Sequence, residues 1–182
     1  KGVMQMMPNT LNGLDVPDSL HADNSANIHA SARYLKSLYR MFRGVKHSDE
    51  RINFVLASYN AGYGHIRDAM RLADKYGHNR NIWTGSVDSF LMRKSIPEFY
   101  NDSVCRNGEF KDWKQTISFV NKVQRSWKRF ARMQQEYADS VQAARHEAKY
   151  AHEVTMHSMT SGYRQQRFNA FGNIGVLPCR YL

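Results

Sequence analysis

The sequence predicts an all-α fold, on three observations. Apolar residues return at the i, i+3, i+4, i+7 spacing that buries one helix face, segment after segment, between about residues 25 and 130. No stretch keeps the period-two alternation of a half-buried strand. Glycine, proline, asparagine and aspartate fall between the periodic segments, where helices begin and end. With 182 residues, 42% hydrophobic and 12% aromatic, the chain can build one domain with a proper core plus an appendage, and is short for two. We place the domain at 1–135 and a helical extension with a tail at 136–182. No run approaches the roughly 18 apolar residues of a membrane-spanning helix.

The elements follow in order. Gly2 to Thr10 is a short apolar segment stopped by Pro8, with Gln5 the one strongly polar side chain among Val3, Met4, Met6 and Met7. Residues 11–24 read as a loop. A helix is expected from about Ser25 to Phe42, with Ile28, Ala32, Leu35, Leu38 and Phe42 inward, Asn24 or Ser25 as cap and Gly44 after its end. Ser48-Asp49-Glu50 supplies an N-cap and two first-turn acids that favour the helix dipole. The helix it opens turns Ile52, Val55, Leu56 and Tyr59 inward, placing Asn60 at the rim of the core and not in solvent, before the glycine-flanked turn Gly62-Tyr63-Gly64. Ile66, Ala69, Met70 and Ala73 mark a third helix ended by Gly77, and a polar loop at 78–85 leads to a fourth helix near Ser86 with Val87, Phe90 and Leu91 inward. Pro97 stops it, and Pro97 to Asn101 forms a turn whose Phe99 and Tyr100 face either a surface or the core. From Asp112 a long helix carries Trp113, Ile117, Val120, Val123, Trp127 and Phe130 inward. Past about residue 135, Tyr137, Val141, Ala144, Ala148 and Ala151 keep a 4-3-4-3 spacing with little bulk, a weakly apolar helix that projects or pairs with another helix. Ser158 to Leu182 has no usable period and is expected to be a loosely ordered tail.

The formal charge is +10, and residues 106–135 hold eight Lys or Arg against only Glu109 and Asp112. Such a basic helix is either a solvated face or a contact for a polyanion: nucleic acid, an anionic membrane surface or a cell-wall polymer. Cys105 and Cys179 are far apart and outside any C-x-x-C pair; two free thiols are favoured over one disulfide. His146, His152 and His157, spaced by six and five, miss the i, i+4 geometry of helical metal ligands, so no metal site or cofactor is expected. The first residues include neither an initiator Met nor a signal peptide, and the written chain is expected to begin inside a longer protein.

Tyr59 and Asn60, side by side at a helix end, have two readings: a core aromatic beside a helix-ending residue, or a hydroxyl and an amide that position a sugar. Their surroundings favour the second. Gly2-Val3-Met4-Gln5, then Asn27-Ile28 with Tyr34-Leu35, then Ser58-Tyr59-Asn60-Ala61-Gly62-Tyr63-Gly64-His65 resemble, in order, the motifs of the soluble lytic transglycosylase (SLT) family. Ser95-Ile96-Pro97-Glu98-Phe99-Tyr100 and the Phe119-Val120 helix are similar to the membrane-bound lytic transglycosylase F subgroup, and the resemblance covers roughly residues 1–130.

The resemblance implies a lysozyme-like helical domain, incomplete on its N-terminal side. It implies cleavage of the β-1,4 bond between N-acetylmuramic acid and N-acetylglucosamine in peptidoglycan, with 1,6-anhydro ends formed by the muramic acid's own 6-hydroxyl. That chemistry needs one carboxylic acid. The family's catalytic Glu is expected before Gly2, so no catalytic acid is assigned within this chain; Glu50, Glu98 and Glu109 are poor substitutes. Carried over as substrate-binding are Met4, Gln5, Tyr59, Asn60 and, lining the groove, Tyr100. Where relatives carry Arg-Gly-x-Glu, this chain has Lys111-Asp112-Trp113-Lys114-Gln115, with Gln115 at the Glu. The implied partner is the peptidoglycan glycan strand in the cell envelope, at the periplasmic side of the outer membrane; membrane anchoring falls to the region ahead of Lys1, and the oligomeric state stays open. The alternatives are a peptidoglycan-binding module without activity and, more remotely, a nucleic-acid contact through the basic helix, which no nucleic-acid motif supports.

Overall fold

Among the described residues seven α-helices account for most of the chain and no strand occurs. The computed structural model describes the backbone of residues 2–171 and the side chains of residues 2–161. The helices are α1 (Pro8–Asn12), α2 (Asn24–Met41), α3 (Ser48–Ala61), α4 (Tyr63–Lys75), α5 (Asp88–Arg93), α6 (Pro97–Tyr100) and α7 (Trp113–Phe171), with a single 3-10 turn at Asp18–Leu20. The chain divides into two compact units, Lys1–Ser126 and Trp127–Leu182.

The core of the first unit is built by α2, α3, α4 and α5 around Phe42, Phe54 and Trp83. The Phe42–Phe54 rings lie 5.5 Å apart, and Trp83 meets Phe54 edge-on at 5.7 Å. Leu38, Ile66, Leu72, Val87, Phe90 and Leu91 complete it, each without solvent exposure. A smaller cluster of Met6, Leu11 and Ala30 sits beside it, and Tyr34 and Tyr59 pack against both. Tyr59 therefore stands on the seam between the two apolar clusters.

Several sequence expectations are corrected. On α2 the inward face is rotated by about one residue: Ile28 and Ala32 are exposed, while Asn27, Ala30, Ser31 and Leu38 are buried. The reason is hydrogen bonding, since the Asn27 amide donates to the carbonyls of His21 (2.7 Å) and Asp23 (3.2 Å), and Ser31 donates to Met6 Sδ. Hydrogen-bonded polar groups can be buried, which an apolar count does not register, although the Asn27 Oδ1 itself has no partner among the described residues. Asp23 caps this helix, its carboxylate accepting from Ala26 N–H at 2.7 Å. On α3, Ser48 lies inside the helix and His47 precedes it without a side-chain cap; Ile52 is exposed, and Phe54, Val55, Ala57 and Ser58 form the buried face.

The expected turn at 62–64 is a one-residue joint, because Gly62 alone separates α3 from α4, at φ +89°. A side chain is rarely found in that region of backbone space. The 78–85 stretch is not simply polar: Trp83 opens a tight turn through Val87 that includes Gly85 at φ +73°, and it is fully buried. On α7, Trp127 and Phe130 are exposed, not inward, and the helix runs unbroken to Phe171 where a tail was expected from Ser158. Residues 172–182, with Cys179, lie outside the described residues.

Candidate functional site

The first five residues and the end of α3, more than fifty positions apart, are joined by one side chain. The Tyr59 hydroxyl donates to the Met4 carbonyl at 2.8 Å. Ser31 Oγ, buried on α2, lies 3.3 Å from the same hydroxyl. The Tyr59 ring is flanked by Tyr34 at 5.9 Å and stacks near-parallel with Phe119 of α7 at 6.5 Å. Burial, and then the neighbouring Tyr59, push the Tyr34 phenol above its ordinary range, so it stays protonated.

Met4 and Gln5 are held by a tight turn in which the Gln5 backbone N–H and side-chain amide both donate to the Gly2 carbonyl, at 2.9 and 3.1 Å. Gln5 adopts φ +54°, a left-handed conformation that costs a non-glycine residue about 1 kcal/mol or more. Gly2 is buried against Asn27, and a Cβ at Gly2 would overlap the Asn27 side chain. That contact gives the Gly2-to-Gln5 and Asn27 motifs a shared physical reason: the turn approaches α2 too closely for any other residue at position 2.

Asn60 is exposed, not at the core rim, but it is held. Its Oδ1 lies 2.8 Å from Thr116 Oγ1 on α7, while the same hydroxyl reaches the Asp112 carbonyl at 3.2 Å. Thr116 has one proton to donate. When it donates to Oδ1, the Asn60 NH2 is left without a partner among the described residues. Met4, Gln5, Tyr59 and Asn60 thus come together, with Ser31, Tyr34, Thr116 and Phe119 behind them. Tyr100 does not join them: it sits half-buried on α6 with no hydrogen bond or ring contact to this group among the described residues. Its neighbour Phe99 packs onto Tyr76 and Phe90 and closes the core.

The three carboxylates weighed as substitute acids are accounted for. Glu50 accepts the Trp83 N–H at 2.7 Å, so it is more than a dipole partner. Glu109 pairs with Lys111 at 3.1 Å, and Glu98 is exposed on α6. Gln115 is also exposed.

Sequence reasoning missed a second polar group. Lys94 on the chain following α5 is fully buried and uses all three of its protons: Asp68 Oδ2 (2.6 Å), the Asn107 carbonyl (2.6 Å) and His65 Nδ1 (3.2 Å). Asp68, also fully buried, accepts from Arg71 and from the backbone N–H groups of Arg106 (3.0 Å) and Asn107 (2.8 Å). Burial raises the Asp68 carboxyl, but the hydrogen bonds from Lys94, Arg106 and Asn107 outweigh it and hold it below the usual carboxylate range. Burial, then Lys94, lowers His65, keeping its ring neutral as an acceptor. This network ties residues 104–110 to α4, just ahead of α7. A signal existed: Asp68 and Lys94 are opposite charges on the apolar sides of Ile66–Ala69 and Phe90–Leu91.

The juxtaposition of the Gly2-to-Gln5 turn with Tyr59-Asn60 meets a matching comparison. Residues 1–82 match the family model of the transglycosylase SLT domain. The chain is similar to proteins named membrane-bound lytic murein transglycosylase F: that of Desulfosudis oleivorans at 37% identity over 103 residues, 57% of this chain and 22% of the relative. That of Aeromonas hydrophila is 34% identical over 119 residues (64% and 24%), and that of Pseudomonas fluorescens 31% over 128 residues (69% and 24%). The chain spans under a quarter of the length of these curated relatives. Met4, Gln5, Tyr59 and Asn60 all fall inside the SLT-matching residues, whereas Tyr100 and the Asp68 partners Lys94 and Asn107 do not.

Proposed function

We propose that this chain is the sugar-positioning part of a peptidoglycan lytic transglycosylase whose catalytic Glu lies ahead of Gly2 in the parent protein. The observation that carries the reading is the Tyr59 hydroxyl bonded to the Met4 carbonyl, which assembles two of the SLT-like motifs into one surface. The similarity to lytic murein transglycosylases F supports the substrate class.

In this reading the domain covers residues 1–135. Asn60 donates its NH2 to an oxygen of the N-acetyl sugar, and the Met4–Gln5 turn floors the groove. The acid protonates the glycosidic oxygen as the C1–O4 bond of the muramic acid unit breaks, and the N-acetylglucosamine leaves with its 4-hydroxyl. The resulting carboxylate then takes the proton of the muramic acid 6-hydroxyl as its oxygen bonds to C1, closing the 1,6-anhydro ring. Holding the 6-hydroxyl and C1 in one conformation is a matter of orientation, the task a rigid Tyr59-Asn60 pair suits. We place the enzyme in the cell envelope, on the periplasmic side, associated with the outer membrane.

The test is mass spectrometry of muropeptides released from sacculi by the full-length parent. Anhydro ends are expected from the wild type, with turnover lowered at least tenfold in Asn60→Ala and the fold intact. Hydrolysed reducing ends, or Asn60→Ala at the wild-type rate, would overturn the reading.

A further inference from the structure

The long exposed helix of the second unit is unaccounted for by sugar chemistry. From Trp127 to Ser161 every described side chain is exposed except the half-buried Val141. The exposed residues include Trp127 (64%), Phe130 (62%) and Tyr137 (72%). Large apolar side chains in water at this density mark an interaction surface.

The pattern along the helix indicates which kind. Numbering Trp127 as position a of a heptad, Phe130 and Tyr137 fall at d and Val141 at a, and the row continues through the alanines at 144, 148 and 151. Five Lys or Arg and four Asp or Glu lie between 127 and 161. Seven of these nine take positions b, c or f, away from the a/d seam. The two exceptions, Arg145 at e and Glu147 at g, carry opposite signs on the flanks where interhelical pairs form. A segment with five cations against four anions is a poor match for a polyanion or an anionic lipid surface, which selects unbalanced positive charge. It is a good match for a copy of itself.

We propose that Trp127–Ser161 pairs with the same segment of a second copy of this chain as a parallel, in-register coiled coil. Thirty-five residues span about 52 Å of helix, five heptads. The three aromatics of each copy, about two thirds exposed in the single chain, remove on the order of 600 Å² from water across the dimer when covered, taking about 150 Å² for the whole of each side chain. Met133, Val141 and the alanine row carry the total past the roughly 1,000 Å² expected of a stable interface. Gln134, the one polar residue among the first five a and d positions, meets its own copy only in the parallel, in-register arrangement, the role a polar a residue plays in setting register. In that arrangement Glu147 at g faces His152 at e of the other copy.

Sedimentation equilibrium of the 182-residue chain over a dilution series tests this. Twice the chain mass is expected, persisting in 1 M salt because the seam is apolar. The double variant Phe130→Asp/Tyr137→Asp should sediment as monomer, while Lys128→Glu at position b leaves the dimer intact. Phe130 and Tyr137 are exposed in the single chain, so neither change disturbs the packing of residues 1–126. Val141→Cys, oxidised, should give a covalent dimer above the wild-type background. A monomeric wild type, a dimer indifferent to the double variant or lost in high salt, or no cross-link through Val141→Cys would each overturn the proposal.

Discussion

The first unit holds two polar networks of opposite character. At the Asp68–Lys94 ion pair both charged groups are fully partnered inside the protein: three protons on Lys94 find three acceptors, and both oxygens of Asp68 are used. Around Tyr59 and Asn60 the count does not close, since the Asn60 NH2 and the outer side of the Gln5 turn have no partner among the described residues. A buried ion pair with a full complement of hydrogen bonds holds structure together, whereas polar groups fixed at one end and open at the other can receive a ligand. Both involve residues of helices adjoining Gly62, so proximity in sequence does not separate structural groups from binding groups; the completeness of their hydrogen bonding does.

The strongest way to break the contrast is Asp68→Ala, which strands the Lys94 charge in the core. A loss of about 3–5 kcal/mol is expected by urea denaturation, and Asp68→Leu with Lys94→Met should recover most of it. If Asp68→Ala unfolded at the wild-type midpoint, the network would not be structural. Acid is a milder break. The lowered His65 takes up a proton more readily unfolded than folded, so its contribution is complete above about pH 6.5 and falls as pH drops below that. Asp68, also lowered, adds a loss below about pH 4, as its folded carboxylate is finally protonated. Thermal melts across pH 3–8 should therefore decline only toward acid, and Lys94→Met should flatten the decline.

On the other side, Tyr59→Phe removes the bond to the Met4 carbonyl and is expected to cost about 1 kcal/mol of stability, with a loss of muropeptide affinity seen by NMR titration. The smallest effect is expected from Thr116→Val, which keeps volume and removes the donor to Asn60. Affinity should fall up to roughly tenfold with stability nearly unchanged, and Thr116→Ser should retain it. Equal losses of stability and affinity in both networks would erase the distinction.

The helical class and most element positions were legible, because α4 and α5 bury the apolar rows their spacing announces. The phase of α2 was not, since Asn27 is buried through bonds to the backbone of the preceding turn and Ser31 through one to the distant Met6. Trp83 was hidden among polar neighbours; a single aromatic has no period. The motifs led to Met4, Gln5, Tyr59 and Asn60, and the structure brings these together. Thr116 and the Lys94 network depend on tertiary approach across more than ten residues, and local spacing carries no record of that.

Gly62 gives the chain an arithmetic constraint. With a single residue between α3 and α4, no loop can absorb a change in length. Each residue of an α-helix advances by about 100°, so inserting one residue at this joint would swing α4 by more than a quarter turn relative to α3. His65 and Asp68 would leave the face that meets Lys94, while Tyr59 and Asn60 stayed in place. The interval of eight residues from Asn60 to Asp68 is thus fixed by rotation as well as by reach, and variation by insertion or deletion is closed to the segment that joins the Tyr59-Asn60 pair to the Asp68–Lys94 network.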